Sequence, residues 1–270
     1  MAVKYPLEIC QAKVVSFAFH CHGDGMWTQK ILNVQHIESA LLDIDRLSPY
    51  WIRRAPQPLE SFTLGAATYL DLTTRCQKYD AVRLKINPLL EAHLGWLYNL
   101  LISALSEDFG PMVLQKDLAF PGFHIFGARP DQSTSEEGCK MMERPIASVH
   151  IDAPYRAHMS IWSQYKKIDF LNPLSITLCL RLPKSGGGLN MWQEIDRKTH
   201  HAGHDMVDCR FSVVEKSAFR YIPYQTGCVY VTSGHQVHQI APAVRMLPND
   251  RRVTLQAHAL QCDGVWRLFF

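Results

Sequence analysis

Residues 146–155 read Ile-Ala-Ser-Val-His-Ile-Asp-Ala-Pro-Tyr. Apolar and β-branched positions alternate with polar ones until Pro154 ends the run, which is the pattern of a strand. Side chains two apart leave a strand on the same face. Ser148, His150 and Asp152 are therefore predicted to point one way, and Ala147, Val149 and Ile151 the other way, into packing. An imidazole and a carboxylate then stand about 6–7 Å apart at their Cα atoms. A solvent-facing strand edge explains a His-x-Asp triplet as simply, so the pair needs a third element before it means anything.

The C-terminal quarter supplies one. Cys228-Val-Tyr-Val-Thr232 is a second strand signal, closed by the Ser233-Gly234 turn. His235-Gln-Val-His238-Gln-Ile-Ala-Pro242 follows, and Asn249-Asp250 then turns the chain into Arg251-Arg252-Val-Thr-Leu-Gln-Ala-His-Ala-Leu260. That last run alternates strictly. Arg252, Thr254, Gln256 and His258 share one face, while Val253, Leu255, Ala257 and Ala259 share the other. The pattern predicts a wall with a polar site on one side and packing on the other. Arg251 and Arg252 must face opposite ways, and Arg251 is the one expected in solvent.

Two histidines and one carboxylate on one face of a metal are the ligand set of non-haem iron(II) oxygenases. His150, Asp152, the distant His238 and Arg252 fourteen residues beyond it resemble, in that order, the iron(II)- and 2-oxoglutarate-dependent dioxygenases. Asn172-Pro-Leu-Ser-Ile-Thr-Leu-Cys-Leu-Arg-Leu-Pro183 and Gly186-Gly-Gly-Leu-Asn-Met-Trp192 are similar to that family's central strand, Gly-Gly turn and following strand. The likeness covers roughly residues 120 to 262. It implies a double-stranded β-helix, or jelly roll, with Fe(II) held by His150, Asp152 and His238. It also implies 2-oxoglutarate bound through its keto and C1 carboxylate groups, with dioxygen at the remaining position. Arg252 would anchor the C5 carboxylate as a two-pronged ion pair, with the Thr254 hydroxyl beside it.

The implied reaction is hydroxylation of a small molecule such as an amino acid or specialised metabolite, with desaturation, cyclisation or epimerisation open to the same chemistry. Halogenating relatives replace the carboxylate with a small residue, and Asp152 is present here. His235 competes with His238 as the distal ligand. Ile240 and Pro242 follow His238 in the family's pattern and its spacing to Arg252 fits, which leaves His235 as an edge residue. Two other readings stand beside this one: a cupin-like metal oxygenase that does not use 2-oxoglutarate, and a non-catalytic metal- or ligand-binding sensor. Arg252 argues against the first, and the second predicts iron binding without oxygen consumption.

The rest of the chain bounds these readings. Its 270 residues suit a single domain, with a helix-rich support at 1–110, a jelly-roll core at 111–270 and an insert near 196–221. The fold class is thus mainly β, with N-terminal helices packed on one sheet. Apolar residues make up 47% and charged residues 20% of the chain, a globular composition. A net charge of +3 suggests neither nucleic acid nor an anionic membrane as partner. The eight cysteines are scattered and are read as reduced thiols of a cytoplasmic protein. Residues 1–10 lack a signal-peptide pattern, and the apolar run from Leu94 to Leu105 is too short to cross a bilayer. Oligomeric state leaves no mark in the sequence.

A strand is expected at 12–20, a helix at 31–47 and an exposed loop at Pro56-Gln-Pro58. Asn87-Pro88 is expected to cap and start a buried helix that ends at Gly110-Pro111. Strands are expected at 120–126, 147–152, 174–182, 188–192, 228–232, 252–260 and 265–270. Residues 128–142 and 196–221 are lid candidates, since loops at the mouth of a rigid scaffold carry specificity. Tyr155, His158, His124 and Trp192 are candidate substrate residues, each with core packing as the plainer alternative. His200, His201 and His204 are read as a solvated cluster. Gly186-Gly-Gly188 lacks the Lys-Ser/Thr of a phosphate loop.

Overall fold

The structure is a computed structural model that describes residues 25–72, 78–192 and 218–270. The expected strand at 12–20, most of the 196–221 insert and the 200–204 histidine cluster lie outside the described residues. In chain order the elements are β1 (Met26–Lys30), α1 (Val34–Arg46), β2 (Ile52–Arg53), β3 (Ser61–Leu64), α2 (Thr68–Asp71) and α3 (Tyr79–Phe109). Then come β4 (Met112–Leu114), β5 (Gly122–Phe126), α4 (Glu136–Met142), α5 (Met159–Trp162), β6 (Ile168–Arg181) and β7 (Leu189–Met191). The last five are β8 (Arg220–Ile222), β9 (Cys228–Ser233), β10 (His238–Ile240), β11 (Arg252–Cys262) and β12 (Val265–Phe269). The described residues are mainly β, with helices gathered towards the N-terminal side.

Two sheets form. The larger runs β1-β9-β6-β11-β5-β3-β2, with β12 also paired to β11 and β4 to β12. All of its pairs are antiparallel except β12 with β4. The smaller is β10-β7-β8. β6 and β11 are the long central strands, and their alternation divides the molecule. Leu174, Ile176, Leu178 and Leu180 of β6 join Val253, Leu255, Ala257 and Ala259 of β11 in the main apolar core with α1 and α3. The opposite face of the same two strands presents Ser175, Thr177, Arg252, Thr254, Gln256 and His258 to a cavity beneath the smaller sheet.

α3 is the brace behind the larger sheet. Leu90, Leu94, Leu97, Leu101 and Leu105 are fully buried, a stripe at 3–4 residue spacing, and each contributes roughly 1.5–3 kcal/mol by leaving water. The helix does not start where the Asn-Pro signal predicts. It begins at Tyr79, and Pro88 lies inside it, because residues 81–86 are tolerable helix formers and the burial of the whole stripe outweighs one missing N–H. Asn87 is released from capping and ties two segments together. Its Nδ2 donates to Leu118 O at 2.9 Å, and its Oδ1 accepts from Phe120 N at 3.1 Å. The helix expected at 31–47 is α1, which starts later, at Val34, because Asn33 caps it, accepting from His36 N at 2.8 Å.

The predicted strand at 147–152 is corrected to something shorter. Only His150 forms a bridge, with His238. Beyond that bridge the Ala147 carbonyl is taken by the Gln239 side chain, whose Nε2 donates to it at 2.9 Å, in place of a backbone partner. Arg251 is also corrected. It does not point to solvent but forms a two-pronged pair with Asp45 of α1, at 2.6 and 2.8 Å, and so pins the helix to the start of β11.

Candidate metal centre

His150 and His238 meet across an edge pairing. His150 N donates to His238 O and His238 N to His150 O, both at 2.9 Å, and the imidazole centroids lie 4.5 Å apart. Two residues on, Asp152 N donates to Gly234 O at 2.7 Å. The Ser233-Gly234 turn passes so close that a Cβ on residue 234 would lie 2.7 Å from Asp152 O. Only glycine permits that approach. A backbone clasp of three hydrogen bonds thus carries both members of the His-x-Asp pair to the distal histidine.

The imidazoles are oriented alike. Nδ1 of His150 lies 2.7 Å from Ser148 O, and Nδ1 of His238 lies 2.8 Å from Gln236 O. A carbonyl only accepts, so both Nδ1 atoms carry the proton and both Nε2 atoms keep a lone pair. Those Nε2 atoms face Asp152, at 3.7 Å from Oδ1 and 3.4 Å from Oδ2 respectively. His150, Asp152 and His238 each offer one ligand atom, and the three atoms lie within 4.8 Å of one another. Burial pushes the Asp152 carboxyl up, but His238, His258, His150 and a hydrogen bond from Ser175 outweigh it and hold it well below the usual range. Burial keeps His238 below the ordinary histidine value, against the pull of Asp152. The resting state sets an anionic carboxylate beside a neutral His238, the protonation that a divalent metal requires.

The donor set fits ferrous iron, and two further buried groups mark the space around it as a ligand site. His258 is 2% exposed, lies with Nδ1 4.0 Å from Asp152 Oδ2, and has no hydrogen-bond partner on either ring nitrogen. Such an orphan costs about 1–3 kcal/mol unless a ligand meets it. Arg252 is buried in the same cavity. Its Nε donates to Gly187 O at 2.8 Å and its Nη1 to Thr254 Oγ1 at 3.2 Å, and no carboxylate of the described residues pairs with it. Gly186 and Gly187 lie at φ 81° and 74°, where a side chain is strained, and this turn aims the Gly187 carbonyl at the guanidinium. Phe126 and Tyr224 hold it from the sides, each ring centroid 5.8 Å from Cζ.

The other candidates divide. His124 lines the cavity, with Nε2 2.6 Å from the Tyr69 hydroxyl. Tyr155, His158 and Trp192 are not among the residues lining it. Tyr155 OH lies 2.9 Å from His235 Nε2. His158 bonds Thr68 Oγ1 at 2.9 Å and packs on Tyr79 and Phe269. Trp192 joins Val149 and Val237 in a small apolar cluster. Nor does any residue of 128–142 line the cavity. That stretch folds into α4 and packs Cys139 and Met142 against Phe126, Ala243 and Met246. His258, Gln256 and Ser175 were missed by sequence reasoning. The alternation of β11 had already put the first two on the face of Arg252.

Two of these histidines make the fold acid-sensitive. Burial lowers His124 to about 3 and His158 to about 4. Because both values fall below the unfolded one, the unfolded chain binds more protons, and stability falls as pH drops below about 6.5. From pH 7 to pH 5 each histidine should cost roughly 2 kcal/mol. Urea midpoints at the two pH values check this, and His158→Gln should remove its own share of roughly 2 kcal/mol from the dependence; equal midpoints for the wild type would refute it.

No protein-family model matches the sequence, and no curated protein matches it. Solved structures do. One is a novel N-substituted L-amino acid dioxygenase in complex with alpha-KG, from Burkholderia ambifaria AMMD; identity is 13% over 91% of this chain and 86% of that one, with a TM-score of 0.49. A non-heme alpha ketoglutarate dependent carbocyclase from nogalamycin biosynthesis matches at 11% identity over 90% of this chain and 82% of that one, with a TM-score of 0.48. A prolyl-4-hydroxylase from Pseudomonas putida matches at 13% identity over 89% and 94%, with a TM-score of 0.40.

Proposed function

We propose that this chain is an iron(II)- and 2-oxoglutarate-dependent oxygenase, a single jelly-roll domain that oxidises a small molecule. The observation that carries the reading is the joint aim of three side chains. The lone pairs of His150 Nε2 and His238 Nε2 and the Asp152 carboxylate converge within 4.8 Å, with both tautomers set by backbone carbonyls. A buried guanidinium stands on the wall of the same cavity with no carboxylate partner among the described residues.

Each group then has a task. His150, Asp152 and His238 would hold the ferrous ion, and with 2-oxoglutarate and dioxygen that ion would supply decarboxylation of the cosubstrate to succinate coupled to oxidation of a substrate C–H bond. Arg252 receives the C5 carboxylate of 2-oxoglutarate. Thr254 accepts from Arg252 Nη1, which leaves its own proton for the same carboxylate. His258 offers a hydrogen bond to whatever binds beside Asp152. His124 and Tyr69 present a neutral polar pair to the cavity, suited to a substrate with hydroxyl, amino or carboxyl groups. An amino acid or a specialised metabolite meets that description, and hydroxylation is the reaction that needs least from the protein. Cys139, Cys179 and Cys262 are buried free thiols, in keeping with a reducing, cytoplasmic setting. Among the described residues no helix is long and apolar enough to cross a membrane.

Anaerobic addition of Fe(II) and then 2-oxoglutarate should produce a visible charge-transfer band, and admitting oxygen should discharge it with formation of succinate. Iron binding with no band would favour a metal oxygenase that does not use 2-oxoglutarate. Failure to bind Fe(II) at all would end the oxygenase reading.

A further inference from the structure

Asp152 has two oxygens, and the protein treats them differently. Ser175 Oγ lies 2.6 Å from Oδ2, which also faces His238 Nε2 at 3.4 Å, while no donor among the described residues bonds Oδ1, which faces His150 Nε2 at 3.7 Å. Behind Ser175 the contacts continue. Gln256 Nε2 donates to Ser175 Oγ at 3.1 Å, and Thr177 Oγ1 donates to Gln256 Oε1 at 2.8 Å. The register explains the reach. On the paired strands β6 and β11, Gln256 stands opposite Thr177 and His258 opposite Ser175, so Gln256 bonds one neighbour directly and the other on the diagonal.

The polarity of this chain has one solution. A carboxylate that binds a metal must be deprotonated and can only accept, so the single Ser175 proton goes to it. The Ser175 oxygen is then free to accept, which requires the amide nitrogen of Gln256 and turns its oxygen to the Thr177 hydroxyl. We propose that Thr177, Gln256 and Ser175 form a one-way hydrogen-bond relay whose function is positional: it holds the Asp152 carboxylate by Oδ2 in the orientation that faces the two imidazoles. The inference rests on the metal-centre reading above and adds to it three positioning residues.

Mn(II) titration of the metal-free, full-length chain, followed by electron paramagnetic resonance without any cosubstrate, separates the possibilities. Ser175→Ala should weaken Mn(II) binding by about 10–100-fold, the range for loss of a group that orients a ligand. Gln256→Glu is the sharper probe, because it keeps the shape of the residue but can only accept. Ser175 would then be drawn from Asp152 towards the new carboxylate, and affinity should fall by about tenfold or more even though negative charge has been added near the ion. Ser175→Thr retains the hydroxyl and should stay within about threefold of wild type. Melting temperatures of the metal-free variants report folding separately. If Ser175→Ala is unfolded, the isosteric Gln256→Glu variant carries the test. Wild-type affinity in Gln256→Glu, or tighter binding through the added charge, overturns the relay. If the wild-type chain binds no Mn(II), or Asp152→Ala binds it equally well, the metal centre itself is wrong and the relay falls with it.

Discussion

Asp152→Ala should abolish tight Fe(II) binding, with affinity falling by about a hundredfold or more, while the chain stays folded. The three ligands are unequal. His150 and His238 are neutral donors clasped by their own backbone pairing, and each keeps its tautomer through its own carbonyl. Asp152 is the only anion among the three, so its removal takes away both a bond and the charge that offsets stripping water from a dication. The backbone clasp does not depend on the carboxylate, because Asp152 reaches Gly234 through its amide nitrogen. The metal-free fold gives up some stability as well, because the partners of Asp152 hold its carboxylate below the usual range and its charged form therefore favours the folded chain at neutral pH. Asp152→Asn isolates the charge from the shape, and it too should lose most of the affinity. Isothermal titration with Fe(II) under anaerobic conditions, beside a melting curve for each variant, decides the matter. Retained affinity in both variants would mean that the imidazoles alone hold the ion, which the geometry does not support.

Much of this site could be read from alternation alone. On β11 the residues that reach the core and those that reach the cavity are the two sets that strict period-two counting separates, because a strand between a helix layer and a polar cavity has no freedom to do otherwise. His258 belonged to the polar set from the start. What singles it out is the absence of any partner for its ring nitrogens, a property of three-dimensional neighbours that no spacing encodes. Asn87 shows the converse failure. Asn-Pro is a sound local signal for a helix start, yet the buried leucines beyond it and helix-compatible residues before it made one long helix the better solution, and the asparagine was reused as a tie. Arg251 was misplaced for a related reason. A charged residue on the packing side of a strand was assumed to escape to solvent, when a carboxylate from α1 stood within reach. Tyr155, His158 and Trp192 lie close in sequence to functional segments, but proximity along the chain does not survive the 3-10 turn at Pro154–His158 or the end of β7 at Met191.

Arg252→Leu should leave iron binding almost intact and raise the dissociation constant for 2-oxoglutarate by a factor on the order of 30 to several thousand, which corresponds to the roughly 2–5 kcal/mol lost when one partner of a buried charge pair is removed. The guanidinium is already paid for in structural terms: Gly187 O and Thr254 Oγ1 hold two of its nitrogens, and Phe126 and Tyr224 fix its plane. A dicarboxylate that enters the cavity therefore meets a donor that need not be ordered first, and preorganisation of this kind is what turns a charge contact into affinity. Arg252→Lys should recover only part of the loss. An ammonium can offer charge, but it cannot hold the Gly187 carbonyl and both oxygens of a carboxylate with the planar fork that the site is built around. Leucine was chosen over alanine because it fills more of the space beside Phe126, so that loss of charge is not confused with collapse of the cavity. The readout is the charge-transfer band titrated with 2-oxoglutarate at fixed Fe(II), with Mn(II) affinity measured on the same protein. A Leu variant that binds the cosubstrate as tightly as wild type would remove Arg252 from the anchoring role. One that loses metal as well would show that the arginine serves the fold of the cavity before it serves any ligand.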